Sequence, residues 1–332
     1  MLQSKIVFLK ITLMFLVMVA GWWASRRRYL TPALTKALSV LVVQLAFPSL
    51  VFAQMLETVS LSALKRGWWI PVFALGSIIL AAWVGKGLAG LFRVAPTSRR
   101  TFVLLVAMPN WVFLPLPIAG GLYGAEGIRF VLLYNLGAQI ILWTYGVHLI
   151  QEKGGEKVAV WRMLLGNVGI MATIGGAALA LCWPGLTAPG DGLIGAGWRL
   201  MVNGGLGALK MIGDLTIPLS LLVAGAQLGE LVGSSQFQWR PLIGVNLGRL
   251  VVAPLLTISV LVGVAHLLGV RLTEVELITS VVIVSMPAAI TCSMLVENYN
   301  GDRGLSASGI FLSTLLSLLT VPVAVWCCHW LL

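Results

Sequence analysis

The sequence predicts an all-α integral membrane protein with ten transmembrane helices arranged as two inverted five-helix repeats. Three observations carry that prediction: a scarcity of charge, ten apolar runs of spanning length, and an internal repeat with an odd number of runs. Of 332 residues, 59% are hydrophobic and 10% are charged, whereas a soluble domain carries roughly 25% charged residues to cover its surface. Lipid is therefore the expected solvent for the outer face, and a soluble enzyme is excluded. The formal charge of +11 implies no nucleic acid, because a nucleic-acid surface clusters Lys and Arg on one soluble face. Here the basic residues punctuate the apolar runs, as in Arg26-Arg27-Arg28 and Arg99-Arg100. Cytoplasmic loops of membrane proteins have that pattern.

A hydrocarbon core about 30 Å thick needs about 20 apolar residues per helix. The runs fall at 6–24, 34–57, 70–92, 101–122, 128–150, 161–183, 205–229, 243–268, 277–296 and 305–330. The first follows Lys5 and Lys10 and is read as a retained span, since Arg26-Arg27-Arg28 stop and orient it. Ten spans put both termini on one side. With the N-terminus outside, cytoplasmic loops hold Arg26, Arg27, Arg28, Arg93, Arg99, Arg100, Lys153, Lys157, Arg162, Arg240 and Arg303, eleven in all. The other side holds Lys5, Lys65, Arg66, Arg129, Arg199 and Arg271, six in all. Both termini are therefore expected outside the plasma membrane, which is the inner membrane of a bacterium. Cys182, Cys292, Cys327 and Cys328 lie in apolar runs and make no ligand spacing with His148, His266 and His329. They read as small hydrophobes, so no disulfide, metal or cofactor is expected.

The repeat pairs residues 41–54, LVVQLAFPSLVFAQ, with 211–227, MIGDLTIPLSLLVAGAQ, each with a proline in mid-span at Pro48 or Pro218. It also pairs 106–127, VAMPNWVFLPLPIAGGLYGAEG, with 284–304, VSMPAAITCSMLVENYNGDRG. The offsets are 170 and 178 residues. The halves are then 1–160 and 161–332. Five is odd, so the second unit must enter the membrane from the opposite side, as in the inverted repeats of secondary transporters.

Spans four and nine should carry the chemistry. Pro109, Pro115 and Pro117 interrupt the fourth and Pro287 the ninth, each removing a ladder donor and clashing with the preceding turn. Backbone freed in this way must be buried or line a cavity, and half-helix N-termini offer a positive dipole end to an anion. Asn110 adds an amide donor and acceptor beside the first break. Ser285, Thr291 and Ser293 supply hydroxyls beside the second, although such groups also bond their own helix backbone. Asn135 and Gln139, at i and i+4, share one face of span five. They should point inward, lining a site or bonding a neighbour. Lys210 and Asp214 have the same spacing in span seven. They are expected to pair or to approach an aqueous vestibule, with Asp214 a candidate for ion coupling and an interfacial ion pair as the plainer reading. Arg249 is expected to snorkel to the cytoplasmic interface.

The fourth and ninth spans resemble those of the auxin efflux carrier family, which includes plant PIN exporters and bacterial permeases for dicarboxylates such as malate and malonate. Asn110, Phe113 and Pro117 match the family pattern, as do Tyr123, Gly124, Glu126 and Gly127, while Pro115 stands where Gly is usual. Met286-Pro287-Ala288, Tyr299, Asp302, Ser313 to Ser317, Pro322, and Pro218 with Gly225 and Leu228 are also similar. The resemblance covers essentially the whole chain. It implies the fold of the sodium/proton antiporters and bile-acid symporters, with spans 1, 2, 6 and 7 as scaffold. Spans 3–5 and 8–10 would form a transport domain in which broken spans four and nine cross beside the substrate. Long cytoplasmic loops are absent, as in the compact bacterial type.

The expected function is secondary active or facilitative transport of a small organic anion, with a carboxylate as the expected headgroup, by elevator-type alternating access. Coupling to H⁺ or Na⁺ stays open, as does a homodimer through the scaffold helices. The alternatives are a sodium-coupled symporter of the bile-acid type, for which span nine offers only hydroxyls and backbone, and a channel or membrane sensor. An enzyme is not expected, since no nucleophile–base pair or metal cluster appears.

Overall fold

Lipid offers a backbone no hydrogen-bond partner, so an apolar run must close its bonds within a helix. In the computed structural model, which describes residues 2–151, 166, 168–183, 193–231 and 238–328, the described residues of the ten runs are mostly helical, with non-helical breaks in the fourth and ninth, and residues 161–165, 167, 329 and 330 of the sixth and tenth lie outside the described residues. The first part of the chain forms α1 (Leu2–Arg26), α2 (Pro32–Leu41), α3 (Phe47–Thr58), α4 (Leu61–Gly67), α5 (Trp69–Leu91), α6 (Pro96–Ala107), α7 (Pro115–Ile141) and α8 (Val147–Ile150). The rest forms α9 (Val168–Cys182), α10 (Leu193–Asp214), α11 (Thr216–Leu231), α12 (Trp239–Leu247), α13 (Ala253–Leu267), α14 (Glu274–Val284), α15 (Thr291–Asn298) and α16 (Arg303–Cys328). Single π-helical turns join α2 to α3 (Val42–Ala46), α7 to α8 (Leu142–Gly146) and α12 to α13 (Gly248–Val252).

Local chemistry sets several helix starts. Thr31 accepts a hydrogen bond from the Leu34 amide, ahead of Pro32 in the first turn of α2, where a missing N–H costs nothing. Thr273 and Glu276 form a reciprocal capping box at the start of α14, satisfying two amides that a helix leaves bare. Asp302 accepts from the Leu305 amide at the head of α16 and from the Ser98 hydroxyl of α6 at 2.5 Å.

Among the described residues, six helical segments are long and apolar enough to cross a membrane: Pro32–Glu57, Leu64–Leu91, Pro115–Ile150, Leu200–Gln227, Trp239–Leu267 and Arg303–Cys328. Spans four and nine do not appear among them because each is divided. The helix α6 stops at Ala107, and α14 stops at Val284. One of the six is itself folded. Gly124 has φ 57° and ψ −137°, a conformation that glycine adopts without steric cost. There Pro115–Tyr123 turns back against the following arm, with Gly120 beside Ile128 and Gly127 beside the Ala119 carbonyl.

The two divided helices occupy the centre. Residues 101–112 and 277–289 are buried without a gap, as expected of helices apolar on every side. Around them, α5 packs on α6 and α7, α14 on α7, and α16 on α6, α12, α14 and α15. A second group pairs α1 with α11 and α3 with α9 and α10. The α1–α11 contact is backbone against backbone: Gly21 lies on the Leu222 carbonyl and Gly225 on the Met18 carbonyl, with no room for a Cβ on either. Small residues allow this approach between membrane helices. The outward faces carry exposed Trp83, Leu91, Leu255, Val260, Leu267, Leu319 and Val323, an apolar belt suited to lipid.

Candidate functional site

The two breaks meet. Residues 108–114 and 285–290 run extended or as single turns, and Pro109 pairs with Ala288 as an isolated antiparallel bridge. The Asn110 amide donates to the Pro287 carbonyl at 2.8 Å, and the Ala289 amide to the Met108 carbonyl at 2.9 Å. Met108-Pro109 and Met286-Pro287 therefore lie side by side where the helices cross.

Breaking a helix in a buried setting leaves donors and acceptors that must find partners. The Ala288 amide donates to the Ser313 hydroxyl of α16 at 3.2 Å. The Phe113 amide donates to Asn110 Oδ1 at 3.2 Å, so Asn110 fixes the turn leading to Pro115. Arg249 serves the opposite ends. It is 1% exposed. Its Nη1 donates to the carbonyls of Val106 (2.8 Å) and Ala107 (3.4 Å), and its Nη2 donates to the carbonyl of Val284. The expected snorkelling of Arg249 is corrected here. The π turn at Gly248–Val252 directs it inward, where open C-terminal carbonyls accept from its Nη1 and Nη2.

Beside the crossing lies a cavity of about 400 Å³, within the range of small-ligand sites. One wall is the first break, from Pro109 to Phe113, and another is the second, from Ala289 to Thr291. The π turns complete it with Val43 and Gln44 on one side and Leu142 and Trp143 on another, together with Gln139, Phe47, Leu295, Gly166, Val168 and Gly169. Extra residues in π turns re-aim neighbouring side chains, and such turns concentrate at functional sites.

The expected site residues separate into groups. Pro109, Asn110, Gln139 and Thr291 line the cavity. Asn110 uses Oδ1 internally, which leaves its Nδ2 as a donor toward the space. Gln139 Oε1 accepts from Trp143 Nε1 at 3.1 Å, so its amide nitrogen is likewise the remaining group. Thr291 Oγ1 has no hydrogen-bond partner among the described residues. Asn135, fully buried, stands behind the wall and accepts from Trp111 Nε1 at 3.0 Å. Pro287 pairs with Asn110 through its carbonyl. Pro115 and Pro117 start α7 and shape the break without lining the cavity. Ser293 turns to its own helix, donating to the Ile290 carbonyl at 2.8 Å. Ser285 is buried outside the lining.

Lys210 and Asp214 do not pair with each other. Lys210 Nζ lies 2.5 Å from Glu57 Oε1 at the end of α3, and Asp214 is exposed at the end of α10. Neither lines the cavity. The i, i+4 spacing was correct for the helix, but a partner on a neighbouring helix reached the ammonium first. Sequence reasoning also missed Gln44, Trp111 and Trp143 as lining residues. Trp111 was adjacent to Asn110 and thus within reach of inference, whereas the π turns left no sequence signal.

A sequence model of the membrane transport protein family matches residues 6–182 and 192–325 of the chain. The chain belongs to this family. The resemblance to auxin efflux carriers is thereby borne out. An uncharacterized transporter of Methanothermobacter thermautotrophicus is 26% identical over 289 residues, 86% of each chain. An uncharacterized transporter of Methanocaldococcus jannaschii is 26% identical over 332 residues, covering 95% of this chain and 97% of the relative. In this membrane transport protein the paired breaks meet beside the cavity.

Proposed function

We propose that the protein is a secondary carrier that moves a small organic anion through the cavity at the helix crossing. The observation that carries this reading is the polarity of the cavity wall. Among the described residues the wall has no acidic side chain, and each of its uncommitted polar groups can donate: the amide nitrogens of Asn110, Gln139 and Gln44 and the Thr291 hydroxyl, with the Gln44 carbonyl as the one uncommitted amide acceptor. The N-termini of α7 and α15, at Pro115 and Thr291, start beside the same space and add positive dipole ends. Phe47, Trp111, Phe113 and Trp143 give it an apolar lining. A carboxylate attached to an apolar body fits both features, with its oxygens at the amide end. The membrane is a plasma membrane in this reading, and both termini lie outside it.

Ten crossings in two inverted five-helix units, moving as an elevator, are the architecture we assign to this activity. In support, α1 packs on α11 and α3 on α9, joining early spans of one half to early spans of the other. The broken helices gather with α5, α7, α12 and α16, and the two groups meet where α1 packs on α16 and α7. Two such groups are what a scaffold and a moving domain require.

Substituting Asn110 tests the proposal. Asn110→Ala removes the Nδ2 donor and the turn-fixing acceptor. With a hydrogen bond to a charged group worth about 1.5–3 kcal/mol, affinity for a transported carboxylate should fall by about tenfold or more. Asn110→Asp keeps an acceptor for the Phe113 amide but faces the anion with a like charge, so it should bind more weakly still. Counterflow in proteoliposomes against mono- and dicarboxylates measures both. Wild-type affinity in both variants would remove the substrate from this cavity.

A further inference from the structure

The helices α6 and α14 both end at the crossing, at Ala107 and Val284. Each helix C-terminus carries the equivalent of roughly half a negative charge, so two of them converging in a buried place attract a cation. Arg249 occupies that place, bonded to Val106 and Ala107 from one half-helix and to Val284 from the other. It is buried, and among the described residues it makes no ion pair with a carboxylate. A planar guanidinium presents several donors in a fixed fork, which lets one side chain bond both helix ends together. The side chain comes from a third element, the π turn between α12 and α13.

We propose that Arg249 is the built-in counter-ion of the crossing, a positioning residue whose guanidinium balances both half-helix C-termini and ties the breaks to α12 and α13. The place that a diffusible cation would take is thus filled covalently. This assignment holds whatever solute the cavity carries.

The test uses Cys292, fully buried near the crossing, with its sulfur 4.0 Å from the Leu104 carbonyl. Cys182, Cys327 and Cys328 are replaced by serine or alanine in the full chain, so that maleimide labelling in nanodiscs reports Cys292 alone. With Arg249 present, labelling should be slow. Arg249→Ala should accelerate it by about tenfold or more, the scale of losing charge-assisted hydrogen bonds. Millimolar guanidinium should restore protection, while sodium chloride and urea at equal concentration should not. Arg249→Lys should remain closer to wild type than the neutral Arg249→Gln. Unchanged protection in Arg249→Ala, sodium protecting as well as guanidinium, or Gln matching or surpassing Lys would each overturn the proposal. If Arg249→Ala does not fold, the Lys and Gln variants decide the matter.

Discussion

Asn110 holds two positions at once, since one amide atom closes the turn to Phe113 and the other faces the cavity. Its neighbour Trp111 does the same on a larger scale, presenting its ring to the cavity while its indole N–H is anchored by Asn135. Such anchoring leaves a binding wall preorganised, because its rotamers are fixed before any solute arrives. Lys210 and Asp214 of α10 have no comparable anchoring. Lys210 and Glu57 are about 42% and 32% exposed, and pairs so open to solvent contribute about 0–1 kcal/mol. Replacing both by Met and Gln should leave thermal unfolding in detergent nearly unchanged. Asp214→Asn should preserve transport and its pH dependence in proteoliposomes. A lost pH dependence would place Asp214 in the coupling path after all.

At the scale of elements, the Tyr123-Gly124-Ala125-Glu126-Gly127 motif turns out to be a device for reversing the chain. Gly124 takes the positive φ, Gly127 lets the arms touch, and Tyr123 donates to Glu274 at the head of α14. The corresponding turn of the second half uses Asn300 with φ 53°, then Asp302 to cap α16 and bond α6. Gly124→Val should therefore cost about 1–3 kcal/mol, the price of a β-branched residue held in a sparsely allowed region. A lower thermal midpoint without loss of solute affinity is the expected signature. An unchanged midpoint would mean that the turn relaxes freely. The helices themselves were legible in the sequence, since apolar length and proline position act locally. The π turns were not. Nothing in VVQLA, LWTYG or GRLVV sets a one-residue insertion apart from an ordinary turn, because packing around the crossing selects it.

For the whole molecule, orientation rests on charges that sit in loops, and these should decide it. A reporter active only in the cytoplasm, fused after Leu332, should remain silent, given eleven basic residues on the proposed cytoplasmic side against six on the other. A strong signal would invert the topology. The sequence by itself determined that the chain is helical, that lipid is its solvent, and that spans four and nine are interrupted at Pro109 and Pro287. Each of these follows from composition or from a proline's missing N–H, which need no partner to act. Only the tertiary structure decided which groups the interruptions meet: Asn110 on Pro287, Ser313 on Ala288, Lys210 on Glu57 rather than Asp214, and Arg249 on Val106, Ala107 and Val284. The physical reason is that a buried polar group is satisfied by whatever lies nearest in space, and these partners, Asn110–Pro287 and Arg249–Val106 among them, are more than a hundred residues apart in the chain or on separate helices.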